Sequence, residues 1–190
     1  MKRDQGQSKM RTLAAAILVA IARAQAENAG AQAVSARIVV SIPDRKLALV
    51  EGGRVVKVYE TAVGAAVSPS PTGTFTVVTR IPNPTWYAPG KVVGPGKHNP
   101  LGTRWMGLSL KGFGIHGTNC PRSIGRAASH GCIRMRNRDV EDLFERVSVG
   151  YVVELRGQRD SETERIFGEA PKPATAVVAA AGPQVPNGGE

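Results

Sequence analysis

The chain has 190 residues, which is enough for one domain with a sizeable core and for tails outside it. Hydrophobic residues make up 42% of the sequence and aromatic residues 5%, and the formal net charge is +10. This composition excludes a coiled coil and a collagen-like chain. Nucleic acid is a poor match as a partner, because the sequence has no basic helix and no basic-aromatic motif. The excess of basic residues suits an anionic cell wall or membrane surface, and ordinary solubility charge explains it equally well.

The first 24 residues predict an export signal. Basic residues precede an apolar run over residues 13–22, and A-x-A cleavage sequences end at Ala24 and Ala26. The alternative is a membrane anchor, but the run has about half of the ~20 residues that a helix needs to span a bilayer. Loss of residues 1–24 would lower the net charge from +10 to +6. We therefore expect an exported protein of the periplasm or cell wall, with residues 25–35 as a linker.

Three β-rich segments begin the predicted domain, which spans residues 36–156. They cover residues 37–42, 46–51 and 54–62, and the turn sequences Pro43-Asp44 and Gly52-Gly53 separate them. Leu47 and Leu49 in the second segment, and Val56 and Val58 in the third, are spaced two residues apart, as expected for one face of a strand. This pattern predicts a β-meander, and a fourth strand is predicted over residues 73–80.

Residues 81–103 predict a long irregular loop, because they contain five prolines and four glycines. A loop of this length inside a compact domain is usually functional or disordered. We expect it to form a lid or groove wall, in which Trp86 and Tyr87 offer flat apolar surface and Asn99 offers an amide to a ligand. The alternative for Trp86 is a ring that pins the loop to the core.

Two further strands are predicted over residues 104–110 and 112–117, followed by one principal helix with Asn137 as its N-cap. Val140, Leu143, Phe144 and Val147 follow the i, i+3, i+4, i+7 spacing of one apolar helix face. Residues 151–157 predict the last strand. The Ala/Pro/Gly-rich composition that follows predicts a disordered tail over residues 157–190. The fold class is therefore mainly β with one principal helix.

The sequence RAASHGCIRMRN, residues 126–137, concentrates the residues that can do chemistry. Cys132 becomes a nucleophile only as a thiolate, and His116 and His130 are candidate bases for its proton. Two alternatives remain open. Cys132 is a small buried core residue, or it forms a metal site with Cys120, His116 and His130, although these residues lack the close pairing of a structural zinc site.

The segments GIHGTN and SIGRAASHGCIRMRNRDVEDLFERV resemble the L,D-transpeptidase (YkuD) catalytic domain family. The family pattern is a His-Gly pair, about fourteen further residues, and then Ser/Thr-His-Gly-Cys followed by Arg or Asn. This chain has His116-Gly117, Ser129-His130-Gly131-Cys132 and Arg134. The resemblance extends through PTGTFTV, NPLGTRWMGL and VGYVVEL, so it covers most of residues 36–156.

This resemblance implies a β-sandwich or barrel-like domain, with no metal or cofactor, that acts on peptidoglycan stem peptides. Cys132 would attack the carbonyl that precedes a terminal D-alanine, form a thioester and release D-alanine. An amine of a second stem peptide, or of a wall-anchored lipoprotein, would then take the acyl group; two stem peptides would form a 3-3 crosslink. Water as acceptor would make the protein an L,D-carboxypeptidase. A non-catalytic wall-binding module that keeps the fold is the alternative of another class.

The resemblance also implies a role for each residue at the centre of the motif. The residue matching His116 is the general base and acid, and the backbone carbonyl of Gly117 orients its imidazole. The N–H groups of Gly131 and Cys132 would form the oxyanion hole.

The remaining residues of the motif are assigned to substrate binding. Arg134 would favour the Cys132 thiolate or hold a substrate carboxylate, and its alternative is a structural ion pair. Ser129 also suits a turn, and His130 suits hydrogen bonding behind the catalytic residues. Cys120 is either a spare cysteine or a disulfide partner that would block Cys132 in an oxidising compartment.

Overall fold

The structure is a computed structural model that describes residues 36–168. The predicted export signal over residues 1–24, the linker over residues 25–35 and the tail after residue 168 lie outside the described residues. Within residues 36–168, no helix has the length and apolar character needed to cross a bilayer.

The described chain forms eleven strands, two α-helices and one short 3-10 helix at Pro121–Ser123. The strands are β1 (Arg37–Ser41), β2 (Lys46–Glu51), β3 (Arg54–Gly64), β4 (Gly73–Pro82), β5 (Trp86–Ala88), β6 (Lys91–Val93), β7 (Arg104–Leu108), β8 (Gly114–His116), β9 (Ala127–Ser129), β10 (Ile133–Met135) and β11 (Val152–Arg156). The helices are α1 (Asn137–Arg146) and α2 (Ser161–Phe167).

Eight strands close into a barrel-like ring in the order β10-β8-β7-β4-β11-β1-β2-β3. The ring closes because β3 pairs with β2 over most of its length and with β10 near its end, at Thr61 and Ala62. The predicted meander is confirmed, since β1, β2 and β3 are antiparallel neighbours. At its β2–β3 turn, Gly52 and Gly53 have φ angles of 56° and 74°, the left-handed conformations that a tight hairpin requires. The predicted mainly β fold class is also confirmed.

Strand β11 lies between β4 and β1, antiparallel to β4 and parallel to β1. In the ring, β11 therefore connects β1 to β4, which is followed by β7 and β8. This placement leaves β1 buried on both faces. Ile38 and Val40 belong to the main core, whereas Val39 packs under α2 against Ile166 and Phe167.

Helix α1 packs against β7 and β8, the strands that precede the motif. Its predicted apolar face is confirmed, because Val140, Leu143 and Phe144 are buried in the main core. The predicted N-cap is wrong. Arg136 occupies the cap position without a side-chain hydrogen bond, and Asn137 is the first helical residue. The Asn137 side chain instead bonds across to another segment, which is described below.

Two predictions about irregular structure need correction. The loop over residues 81–103 contains a two-stranded hairpin, β5–β6, outside the main ring. Residues 157–168 are not a disordered tail, because residues 161–167 form α2. The Asp160 carboxylate accepts hydrogen bonds from the N–H groups of Glu162 (3.1 Å) and Thr163 (2.8 Å), and the Thr163 hydroxyl accepts the Asp160 N–H at 2.7 Å. This capping box and the burial of the helix's apolar end stabilise so short a helix.

Candidate active site

The strand register places the predicted catalytic residues on one face of the sheet. His116 ends β8 and lies beside Arg134 of β10 in the parallel pair, while Trp105 of β7 lies opposite His116 on its other side. Cys132 immediately precedes β10, two residues before Arg134. The intervening residue, Ile133, is buried in the core. Contacts of the Cys132 thiol with the backbone of Gly112 and Gly114 place it beside the start of β8, the strand that ends at His116.

The His116 imidazole is buried and has a fixed tautomer. Its Nδ1 lies 2.6 Å from the carbonyl oxygen of Gly117. A carbonyl only accepts, so Nδ1 carries the hydrogen and Nε2 keeps its lone pair. The Trp105 ring stacks on the imidazole with centroids 5.6 Å apart. This is the carbonyl contact that the family resemblance implies, and no side-chain carboxylate takes part in it.

The surroundings of His116 keep it neutral. Burial lowers the pKa of His116 to about 4, the hydrogen bond to Gly117 opposes this change, and the positive charge of Arg134 adds to it. At neutral pH the imidazole therefore holds a free Nε2 lone pair, which is the state that a general base needs.

The Cys132 thiol is half-buried, and it donates a hydrogen bond to the carbonyl oxygen of Gly112 at 3.7 Å. Burial raises the pKa of Cys132, while a backbone hydrogen bond from Gly114 and the charge of Arg134 act in the opposite direction. Arg134 thus favours the thiolate as predicted, but burial is the larger effect. In the resting state both the thiol and the imidazole are neutral.

The turn before Cys132 is held by Ser129, whose side chain is buried. Its hydroxyl donates to the Cys132 carbonyl at 2.6 Å and accepts the Gly131 N–H at 3.0 Å. Gly131 has a φ of 105°, and a Cβ there would lie 2.6 Å from the Phe113 ring. The structure contradicts two predictions: the Gly131 N–H is not a free oxyanion donor, and Ser129 is a turn former rather than a substrate ligand. Both groups already have partners within the turn.

Arg134 has no acidic partner. Its guanidinium donates to the Ala128 carbonyl at 3.2 Å, and no carboxylate oxygen lies within 4.0 Å of it in the described part of the chain. The alternative of a structural ion pair is therefore wrong for residues 36–168. The charge remains available beside His116 and Cys132, and the exposed His130 lies at the edge of the same turn.

Asn137 supports the site and is not the helix N-cap that its position predicted. Its Oδ1 accepts the N–H of Thr118 at 3.0 Å. The same oxygen lies so close to Gly102 and Gly117 that a Cβ at either glycine would meet it at 2.1 Å or 2.3 Å. Asn137 therefore fixes the peptide that carries the Gly117 carbonyl, which in turn holds His116. The glycines at positions 102 and 117 were the available signal for this close approach.

The loop residues predicted to bind substrate have other surroundings. Asn99 is fully buried, and its amide donates to the carbonyl oxygens of Pro84 (2.7 Å), Val93 (3.1 Å) and Gly94 (3.0 Å). It organises the loop, so its predicted contact with substrate is wrong. Trp86 lies half-buried in the hairpin opposite Val93, and a different tryptophan, Trp105, stacks on His116.

The two cysteines are free thiols, and Cys120 is exposed. Within residues 36–168, no three His, Cys, Asp or Glu side chains lie close enough together to hold a metal ion. The four residues of the metal alternative are therefore not gathered as a ligand set. The geometry is that of a thiol, an oriented neutral base and a cation on one sheet face.

Comparisons with known proteins agree with this geometry. The sequence model of the L,D-transpeptidase catalytic domain, YkuD, matches residues 35–155. A relative from Bacillus licheniformis named putative L,D-transpeptidase YkuD is 44% identical over 119 residues, which cover 63% of this chain and 64% of the relative. Its namesake from Bacillus subtilis is 43% identical over 106 residues, which cover 56% of this chain and 57% of that protein. The chain thus matches less than two thirds of the length of either relative.

Solved structures show the same fold. The catalytic domain of an Enterococcus faecium L,D-transpeptidase, solved by NMR, superposes with a TM-score of 0.54 at 24% identity, over 64% of this chain and 96% of that one. An L,D-transpeptidase in complex with imipenem superposes with a TM-score of 0.54 at 20% identity, over 64% of this chain and 59% of that one.

Proposed function

Because the chain belongs to the family of L,D-transpeptidase catalytic domains, we propose that it is a peptidoglycan L,D-transpeptidase with Cys132 as its nucleophile. The donor is a stem tetrapeptide, and the acceptor is an amine. The observation that carries the assignment of residues is the neutral His116, oriented through Nδ1 by the Gly117 carbonyl, on the same sheet face as Cys132.

The first half-reaction forms a thioester. Nε2 of His116 takes the thiol proton as the Cys132 sulfur attacks the carbonyl carbon that precedes the terminal D-alanine. The tetrahedral intermediate then collapses, the peptide C–N bond breaks, and the His116 imidazolium returns the proton to the leaving nitrogen of D-alanine. Since both groups are neutral at rest, proton transfer accompanies attack, and no preformed thiolate–imidazolium pair is needed.

The second half-reaction releases the thioester. An amine of a second stem peptide attacks the acyl carbon and loses a proton to His116, the C–S bond breaks, and Cys132 recovers its proton. The product is a 3-3 crosslink. A lysine of a wall-anchored lipoprotein is a further acceptor with the same chemistry. Asn137 acts on both steps through the Gly117 peptide, as a positioning residue.

We also propose that the protein acts outside the cytoplasm, in the periplasm or cell wall. The support is the charged, apolar, small-residue order of residues 1–26 together with the location of the proposed substrate. Fractionation of cells that express the full chain with a C-terminal tag tests this, and a tag found with the cytoplasmic fraction would contradict it.

Intact-mass spectrometry after incubation with imipenem tests the nucleophile. Wild-type protein and Cys120→Ser should each gain the mass of one drug molecule, whereas Cys132→Ser should gain none. Cys120→Ser is the matched control because it removes the other free thiol. Absence of an adduct on reduced wild-type protein would contradict the proposed enzyme and favour a wall-binding module. D-alanine release from a synthetic tetrapeptide, with and without an added amine, then separates transfer from hydrolysis.

A further inference from the structure

The charges of this chain are segregated along the sequence. Residues 61–138 contain ten Lys or Arg side chains and no Asp or Glu. The ten are Arg80, Lys91, Lys97, Arg104, Lys111, Arg122, Arg126, Arg134, Arg136 and Arg138. This segment includes every residue of the candidate active site, Asn137 among them, and all Asp and Glu side chains of the chain lie outside it.

Few of these cations are neutralised by the fold. Arg136 pairs with Glu60, Arg138 pairs with Asp139, and Arg80 and Arg104 pack against the Phe144 ring. Within residues 36–168, the other six have no carboxylate oxygen within 4.0 Å; they are Lys91, Lys97, Lys111, Arg122, Arg126 and Arg134.

The opposite side of the domain is built differently. Arg37 pairs with Glu154 and Glu162, and Arg156 pairs with the same two carboxylates. Arg159 pairs with Asp44. Three arginines are therefore paired with carboxylates where α2 covers β1 and β2, although Arg165 of α2 has no carboxylate oxygen within 4.0 Å among the described residues. The contrast with residues 61–138 lies in the carboxylates, which that segment lacks and this region has.

Two of the unpaired cations lie next to the reactive groups, one across the sheet and one along the chain. Arg134 lies beside His116 in the strand register. Lys111 immediately precedes Gly112. The carbonyl oxygen of Gly112 accepts a hydrogen bond from the Cys132 thiol, with 3.7 Å between sulfur and oxygen.

The other cations belong to segments tied to the site. Arg126 lies just before β9, and its carbonyl accepts the Val63 N–H at 3.1 Å. Lys97 precedes His98. The His98 carbonyl accepts a hydrogen bond at 3.0 Å from the side-chain amide of Asn119, which lies three residues after His116. We define the catalytic face by four of these cations, Lys97, Lys111, Arg126 and Arg134.

Several unpaired like charges raise a positive potential at the surface that carries them. The ligand that this potential suits carries several negative charges and reaches the half-buried Arg134. A flat membrane surface contacts exposed cations such as Lys97, Lys111 and Arg126, but it does not reach a half-buried side chain. An extended peptide with carboxylates does, and stem peptides of the proposed substrate class present carboxylates besides the one on D-alanine.

We propose that the catalytic face selects stem peptides by their free carboxylates and discriminates against stems in which these carboxylates are amidated. This inference rests on the proposed function and specifies its substrate. Each neutralised carboxylate removes one attraction to the catalytic face without changing the bond that Cys132 attacks.

The test compares two synthetic tetrapeptide donors that differ only in their internal carboxylates, which are free in one and carboxamides in the other. The measured quantity is kcat/KM for D-alanine release. At 50 mM NaCl we expect the free-carboxylate donor to be preferred by about tenfold, a size typical of electrostatic steering. At 500 mM NaCl the ratio should fall toward about one, because screening shortens the range of exposed charges to about 4 Å.

Two double variants with equal charge changes test which cations cause the donor preference. The Lys111→Gln/Arg126→Gln double variant should lower kcat/KM for the free-carboxylate donor about three- to tenfold, in line with one exposed ion-pair interaction per charge. It should leave the amidated donor nearly unchanged. Arg54→Gln/Arg165→Gln makes the same charge change at the far end of β3 and on α2, so its donor preference should equal that of the wild type.

The outcomes separate this inference from the proposed function. Release of D-alanine from both donors with equal kcat/KM would overturn the inference alone. Equal kcat/KM combined with cosedimentation on anionic phospholipid vesicles, lost in the Lys111→Gln/Arg126→Gln variant, would assign the face to a membrane instead. Release from neither donor together with no imipenem adduct would overturn the proposed function, and the inference with it.

Discussion

The burial of His116 predicts a specific acid sensitivity of folding. In the unfolded chain its pKa is close to 6.5, and in the folded protein it is lowered to about 4. Between these two values the unfolded state binds a proton that the folded state does not, so the free energy of unfolding falls as pH falls. At about 1.4 kcal/mol per pH unit, a change from pH 7 to below pH 4 removes about 3 kcal/mol.

Urea denaturation at pH 7 and at pH 4 measures this loss. The carboxylates of the protein also titrate in this range, so the wild type is compared with His116→Asn, which lacks the imidazole and keeps an amide that can donate to Gly117. Between pH 7 and pH 4, we expect the free energy of unfolding to fall by about 2–3 kcal/mol more in the wild type than in His116→Asn. Most of the ~3 kcal/mol effect of His116 is complete at pH 4. His130→Asn removes an exposed histidine and should keep the wild-type loss. Equal losses in wild type and His116→Asn would refute the argument that His116 is held neutral by burial.

Three further predictions concern the supports of the site and of the fold. Asn137→Ala leaves the buried Thr118 N–H without its acceptor and should lower the free energy of unfolding by about 1–3 kcal/mol in urea, while slowing acylation by imipenem. Asn137→Asp keeps the acceptor, so its acylation should stay closer to wild type; equal rates in both variants would contradict the positioning role. Gly131→Ala places a Cβ 2.6 Å from the Phe113 ring at a φ of 105°, and should abolish imipenem acylation measured by mass, whereas Gly150→Ala, with a φ of 95° and no atom near its Cβ, should retain it. A chain that ends at residue 157 should unfold in urea with about 3 kcal/mol less stability than one that ends at residue 168, because it exposes the surface under Ile166 and Phe167; identical midpoints would show that α2 contributes nothing.

Regular patterns in the sequence predicted the larger elements. The short apolar run that contains Leu47 and Leu49 predicts a strand, and both faces of β2 are buried, one in each hydrophobic cluster. The helix spacing of Val140, Leu143 and Phe144 specifies one buried face. Strands β9 and β10 have three residues each, which is too short for any periodicity to be visible. Helix α2 is also short. Its signal was the cap, Asp160 followed three residues later by Thr163, rather than the composition of the segment.

Some predicted site residues lie at the site as expected, whereas others use their polar atoms to hydrogen-bond the backbone of their own segment. His116, Gly117 and Cys132 were identified through the family resemblance; Gly117 contacts the His116 ring, and Cys132 contacts Gly112 just before the strand that ends at His116. Asn99 and Ser129 were expected to face substrate, but each satisfies backbone groups that its own segment leaves unpaired. A sequence shows that a side chain can hydrogen-bond, and does not show which backbone groups lack partners. For the same reason, the contact of Asn137 with Thr118, nineteen residues away, could not be derived from the sequence.

The insertion of β11 between β1 and β4 has a consequence for how the site comes into being. Arg37 pairs with Val152, so the ring also requires a pairing between residues more than a hundred positions apart. Such non-local pairings make folding slow, because the intervening chain must be ordered before they form. A chain whose residues 152–156 are still inside the ribosome cannot complete the ring. The strands that carry His116 and Arg134 therefore reach their final register only after the whole domain has been synthesised, which ties the assembly of the surroundings of Cys132 to the completion of synthesis.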